Sequence, residues 1–123
     1  MREIKFRGKR IDNTEWIRGG YIKRWNGVEY KHYIHDELYE YEVDRGTVGQ
    51  YTEFKDRNGA EIYEGDIVQN IYGDIFTVEY YGEHWYGYVL TASDGCVDHL
   101  YEYDEYEVIG NIHDNPELLG GAE

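Results

Sequence analysis

The stretch Val48–Val68 reads VGQYTEFKDRNGAEIYEGDIV, and the order of its turn residues decides the fold class. Asp56-Arg57-Asn58-Gly59 lies between the apolar-bearing runs Val48–Phe54 and Ala60–Tyr63. Asn58-Gly59 can therefore supply the positive φ angles of a tight hairpin turn. Gly65-Asp66 marks a second turn, after which Ile67-Val68 opens a strand rich in β-branched side chains. One hairpin thus hands the chain to the sheet that follows. The opening Gly65-Asp66-Ile67-Val68 also looks like the start of an SH3-like or KOW-like small barrel.

Towards the N-terminus, Glu3-Ile4-Lys5-Phe6-Arg7 alternates apolar with polar as a half-buried strand does. Ile4 and Phe6 are expected to face the core, with Lys5, Arg7 and Lys9 on the opposite, solvated face as a basic stripe. Asp12-Asn13 turns the chain back through Trp16 and Gly19-Gly20 into Tyr21-Ile22. Asn26-Gly27 signals a further hairpin, with Val28–Ile34 as its return strand. Tyr39, Tyr41 and Val43 then alternate with Glu40 and Glu42, a period of two that predicts another strand before the turn at Arg45-Gly46.

Towards the C-terminus, the turn signals Tyr72-Gly73-Asp74, Gly82-Glu83 and Ser93-Asp94-Gly95 separate the runs Ile75–Tyr81 and Trp85–Leu90, the pattern of a meander or small barrel. Val97, Leu100 and Tyr101 fit helical spacing and predict a short helix or helical turn. Glu107–Ile112 reads as the closing strand. Asn115 and Pro116 read as cap and first residue of a last short helix that docks Leu118 and Leu119 on the body and ends at Gly120-Gly121. The expected fold is mainly β: an N-terminal antiparallel sheet (residues 1–61), a small SH3-like barrel or meander (62–119) with one or two short helices near the C-terminus, and a tail (120–123). The two regions stand apart or pack as one compact domain.

Three blocks extend this reading beyond local pattern. VGQYTEFKDRNGAEIYEGDIV, the N-terminal REIKFRGKR at positions 2–10 and EVIGNIHDNPELL at positions 107–119 together resemble the YopX family of phage and prophage proteins, in the family's order and over nearly the whole chain. The resemblance implies a mobile-element origin and a bacterial cytoplasmic setting. It carries over no catalytic or ligand-binding residue.

Charge is distributed unevenly. Of 123 residues with a net charge of −14, residues 1–31 hold nine Lys or Arg against four acids, and residues 32–123 hold three against twenty-two. Such asymmetry speaks of association, in which the basic segment lies against the acidic remainder of its own chain or of a neighbouring subunit. An overall negative surface disfavours nucleic acid as the main ligand, since phosphate binding relies on Lys and Arg. Tyrosine, at fifteen residues against three Phe, suits half-buried sheet positions where the ring packs and the hydroxyl stays wet.

Candidate chemistry is sparse. Cys96 is the only cysteine, which excludes an internal disulfide and a cysteine zinc site. His32 and His35, with Asp36, stand three apart on a strand, which puts the imidazoles on opposite faces and argues against chelation. The acid pairs Asp98/Glu102 and Asp104/Glu105 arise readily among 26 acids. There is no Gly-rich phosphate loop or nucleophile elbow. No apolar run approaches a membrane span, and MREIKFRGKR lacks a signal peptide's apolar stretch. The reading is therefore a soluble protein that is no enzyme and needs no cofactor, metal or membrane. It is expected to act through protein–protein contacts, as a homo-oligomer and on a host or phage protein, with Lys5, Arg7, Lys9 and Arg10 as the partner-binding residues. The alternative is a nucleic-acid-associated accessory factor using the same basic segment.

Overall fold

A computed structural model of the chain describes residues 5–80, 88–92, 97–99 and 106–119. Within them the chain is a succession of antiparallel strands: β1 (Phe6–Lys9), β2 (Trp16–Trp25), β3 (Tyr30–His35), β4 (Glu40–Glu42), β5 (Gly49–Lys55), β6 (Glu61–Tyr63), β7 (Asp66–Gln69), β8 (Ile75–Tyr80), β9 (Tyr88–Ala92), β10 (Val97–His99) and β11 (Glu107–Asn111). Helix among the described residues is confined to 3-10 turns at Arg45–Thr47 and Pro116–Leu119. The chain divides into two compact units, residues 1–51 and 52–123.

The first sheet has the order β4-β3-β2-β1-β5-β6, with the chain leaving the first unit along β5. Its register pairs Arg7 with Arg18, Lys9 with Trp16 and Trp25 with Tyr30. Ile34 and Val43 are the fully buried aliphatic side chains among the described residues of the first unit. In β5, Glu53 adopts φ +75°, a left-handed backbone for a non-glycine residue. The neighbouring Thr52 hydroxyl donates to Ile62 O (2.7 Å) and accepts from Phe54 N (3.1 Å), holding that kink in place.

The second sheet has the order β10-β9-β8-β7-β11. Ile62, Val68, Val78 and Leu90 form the buried core of the second unit, with Phe54, Phe76, Tyr106 and Val108 packed against them. Burying each such aliphatic side chain contributes about 1.5–3 kcal/mol. Strands β7 to β10 follow one another as a meander and β11 returns beside β7. Among the described residues the sheet is open, with β10 and β11 at opposite ends, so a meander takes the place of a closed SH3-like barrel.

Four hairpins are closed by one device, an Asn or Asp whose Oδ1 accepts backbone N–H groups of its own turn. Asn26 receives Val28 and Glu29, both at 2.9 Å, and Asp36 receives Leu38 and Tyr39, both at 2.8 Å. Asp56 receives Asn58 (2.8 Å) and Ala60 (2.9 Å), and Asn70 receives Tyr72 (3.0 Å) and Asp74 (2.9 Å). The last two turns share the same backbone bonding. Asp56 N donates to Ala60 O and Gly59 N to Asp56 O, as Asn70 N does to Asp74 O and Gly73 N to Asn70 O. Gly59 and Gly73 sit at φ +86° and +89°, so each is a three-residue loop ending in a left-handed glycine. The positive φ of the central hairpin thus falls on Gly59 and not on Asn58.

Two C-terminal expectations are corrected. Val97–His99 is a strand, in register with Val89–Thr91 of β9, because three apolar positions spanning a single turn cannot outweigh an available strand partner. The last helix is only a 3-10 turn, and Asn115 turns its Oδ1 back to Asn111 N (3.2 Å) while its backbone carbonyl accepts Leu118 N (3.0 Å). Leu118 and Leu119 are half-buried there. The turns expected at Gly82-Glu83 and Ser93-Asp94-Gly95, together with Trp85, Cys96, Leu100 and Tyr101, lie outside the described residues.

Candidate functional site: the aromatic and cationic faces of the first unit

Alternation does place Lys5, Arg7 and Lys9 on one face, but that face is covered at Arg7, with Lys5 and Lys9 half-buried. Arg7 is only 5% exposed, and its guanidinium carbon lies 4.7 Å from the centre of the Trp16 ring. Lys9 reaches the same ring at 5.7 Å and Lys5 the Tyr51 ring at 5.3 Å. A cation over a desolvated indole is worth about 2 kcal/mol, which offsets part of the several kcal/mol that burying a charge costs. Arg18 stands opposite Arg7 in the register and is exposed.

Arg10 belongs elsewhere. It sits 4.4 Å from the Tyr41 ring and holds Asp12 with two bonds, Nε to Oδ1 at 2.9 Å and Nη2 to Oδ2 at 2.6 Å. That pairing raises the Arg10 pKa and lowers that of Asp12. Arg10, Asp12 and Tyr41, with Ile11, Glu40 and Glu42, line a shallow groove of about 250 Å³. The four predicted contact residues therefore form two separate groups.

Arg24 and Lys31 are engaged within this unit as well. Arg24 makes a two-pronged ion pair with Glu40 and overlies the Tyr33 ring at 5.2 Å. The Arg24 hydrogen bond lowers the Glu40 pKa, and the bond to Glu42 raises that of Lys31. Lys31 also approaches Glu29 at 3.7 Å. Arg10, Arg24 and Lys31 thus find acids at positions 12, 29, 40 and 42, within the first unit. By unit, residues 1–51 hold ten bases against nine acids and residues 52–123 two against seventeen.

His32 and His35 occupy opposite faces, as the strand period requires. Tyr21 OH is bonded to His32 Nδ1 at 2.5 Å, and burial pushes the Tyr21 pKa up. His35 stands opposite Gly20 in the register, its ring where a Cβ on Gly20 would fall.

At the turn end of the β2–β3 hairpin, Trp25 and Tyr30 form the last register pair, their rings 5.1 Å apart and tilted edge to face. They are 58% and 51% exposed, and Val28 in the turn between them is exposed too. Lys23 caps the Tyr30 ring at 4.5 Å. Sequence reading used this segment only as a turn marker. The missed signal was a large apolar residue beside and inside an Asn-Gly turn, where small or polar residues are the rule.

Among the described residues the chain is thus an antiparallel β protein of two units, with an exposed aromatic pair at the β2–β3 turn. The model of the family described as YopX protein matches residues 5–120, and the chain belongs to that family. No curated protein matches the sequence. Among the described residues, no helix is long and apolar enough to cross a membrane.

Proposed function

We propose that the protein is a non-catalytic phage or prophage accessory factor that works in the bacterial cytoplasm by binding protein, as a homo-oligomer and towards a host or phage partner. The observation that carries this reading is the exposed Trp25–Tyr30 pair at the β2–β3 tip, beside cations already engaged by rings and carboxylates of their own unit. Aromatic side chains of this kind dominate protein interfaces, whereas engaged surface ion pairs add little. Sedimentation velocity tests it. A mass above the 14.6 kDa of one chain is expected at low and high salt alike, because apolar contact is not screened. It should fall to the monomer in the Trp25→Ser/Tyr30→Ser variant. A single monomer mass for the wild-type chain, together with no protein retained from a host lysate beyond an equally acidic control, would sink the reading.

One observation favours a second reading. Lys9 faces Trp16 and Arg18 faces Arg7 across β1–β2, and cations interleaved with aromatics suit single-stranded nucleic acid. Retention of single-stranded DNA or RNA that weakens steeply with salt and is lost in Lys9→Ala/Arg18→Ala would favour it.

A further inference from the structure

Ile71 and Tyr72 occupy the two central positions of the β7–β8 turn and are 61% and 82% exposed. The turn type does not ask for them. The Asp56–Ala60 turn has the same backbone bonding and carries Arg57 and Asn58 at the equivalent positions, both bonded to Glu107 (2.7 and 3.3 Å). The apolar tip is also held rigid. Besides the Asn70 bonds to Tyr72 N and Asp74 N, Gln69 Nε2 donates to Gly73 O at 3.2 Å. A tip whose backbone is already ordered loses little further entropy on docking.

Charge selects the occupant. The tip belongs to a unit with seventeen acids against two bases, and Asp74 lies at its base. Phosphates of nucleic acid, an anionic lipid surface and the same acidic unit of another copy are all repelled by such a field. What fits is a pocket that is apolar inside and rimmed by Lys or Arg.

We propose that the β7–β8 turn is a docking knob that seats Ile71 and Tyr72 in an apolar pocket, rimmed by basic side chains, on a partner protein. This deepens the protein-binding reading above and rests on it. Two side chains anchor a larger contact and do not make a whole interface.

The test places a photo-cross-linking benzoylphenylalanine at Tyr72, and separately at Tyr30, in the full chain expressed in bacterial cells. The protein joined through position 72 is then purified, and its affinity for the unlabelled chain is measured. The knob predicts an adduct at position 72. It also predicts an affinity that falls at least about tenfold in Ile71→Ser/Tyr72→Ser, falls with added salt, and is unchanged in Leu38→Ser, at an equally exposed turn outside both tips, the thermal melt of each variant matching wild type. A loss under about twofold in Ile71→Ser/Tyr72→Ser overturns the knob. So does an adduct of twice the chain mass, which marks a second copy, or flotation with phosphatidylcholine–phosphatidylglycerol vesicles that depends on Tyr72. Adducts from position 30 alone sink the knob and leave the protein-binding function standing. Absence of adducts from both positions counts against both.

Discussion

The Asp56–Ala60 and Asn70–Asp74 turns have one backbone and two fates. In both, an Asx side chain accepts two turn amides and a glycine near φ +90° closes the loop. Asp56, however, is 6% exposed and its Oδ2 accepts Val108 N at 2.9 Å, 52 residues along the chain. Arg57 N adds a bond to Tyr106 O at 3.0 Å. Asn70 is not buried, and its Nδ2 reaches only Asp74 within the same loop, at 3.4 Å. One turn ties the start of β11 to the β5–β6 hairpin; the other serves only its own hairpin. The energetic weight of a turn residue thus comes from what its second polar atom finds, which local sequence does not display.

The comparison is sharpened most by Asp56→Ala. It removes the acceptor of three backbone N–H groups and leaves Val108 N without its partner, so a loss of about 3 kcal/mol is expected from urea denaturation. Asn70→Ala loses two bonds in a water-accessible loop and should cost about 1 kcal/mol. Equal losses would show that Asp56 acts only as a turn residue. Asp56→Asn falls between, at about 2 kcal/mol, because an amide keeps one acceptor but would point N–H at N–H towards Val108.

Gly59→Ala and Gly73→Ala form the matched control. A Cβ at Gly59 meets nothing within 4 Å, and at Gly73 only Gln69 Nε2 at 3.9 Å. The cost is then left-handed strain alone, about 1 kcal/mol at each site and the same at both. A markedly larger loss at Gly59 would mean that the docked turn cannot relax and the free one can.

The same distinction explains what could be read from the sequence. Turns carry their chemistry on adjacent residues, so Asp56–Gly59, Asn26-Gly27 and Gly65-Asp66 were legible, and with them an antiparallel β protein. Period-two alternation placed Lys5, Arg7 and Lys9 on a common face. What it could not state was that Trp16, brought opposite Lys9 by the β1–β2 register, roofs that face and turns Arg7 inward. Val97–His99 was misjudged for the same reason, since the β9 partner decides its state. The exposed Trp25–Tyr30 and Ile71-Tyr72 tips were visible in principle as bulky apolar residues at turns, where small or polar residues are the rule.

The smallest expected effect separates the two hairpins of the first unit, closed by Asp36 and Asn26. Backbone N–H bonds from Tyr39, then Leu38, hold the Asp36 carboxyl below its usual value of 3.8. A lowered folded-state pKa gives a contribution that is complete above the unfolded value and is lost as pH falls through the folded one. The β3–β4 turn should therefore loosen only below pH 3.8, whereas the Asn26 turn has no proton to gain. By NMR, the Leu38 and Tyr39 amides are expected to titrate with a midpoint below that value and Val28 to show no such step. Asp36→Asn should abolish the step while keeping the turn closed, since the amide retains the acceptor. Added salt gives a further discriminant. Asp12 and Glu40 are lowered by hydrogen bonds to Arg10 and Arg24 on exposed surface, so their midpoints should rise towards ordinary values in high salt. The Asp36 midpoint, set by neutral amides at contact distance, should hardly move. An Asp36 midpoint as salt-sensitive as that of Asp12 would show that a charged neighbour, and not the turn, governs it.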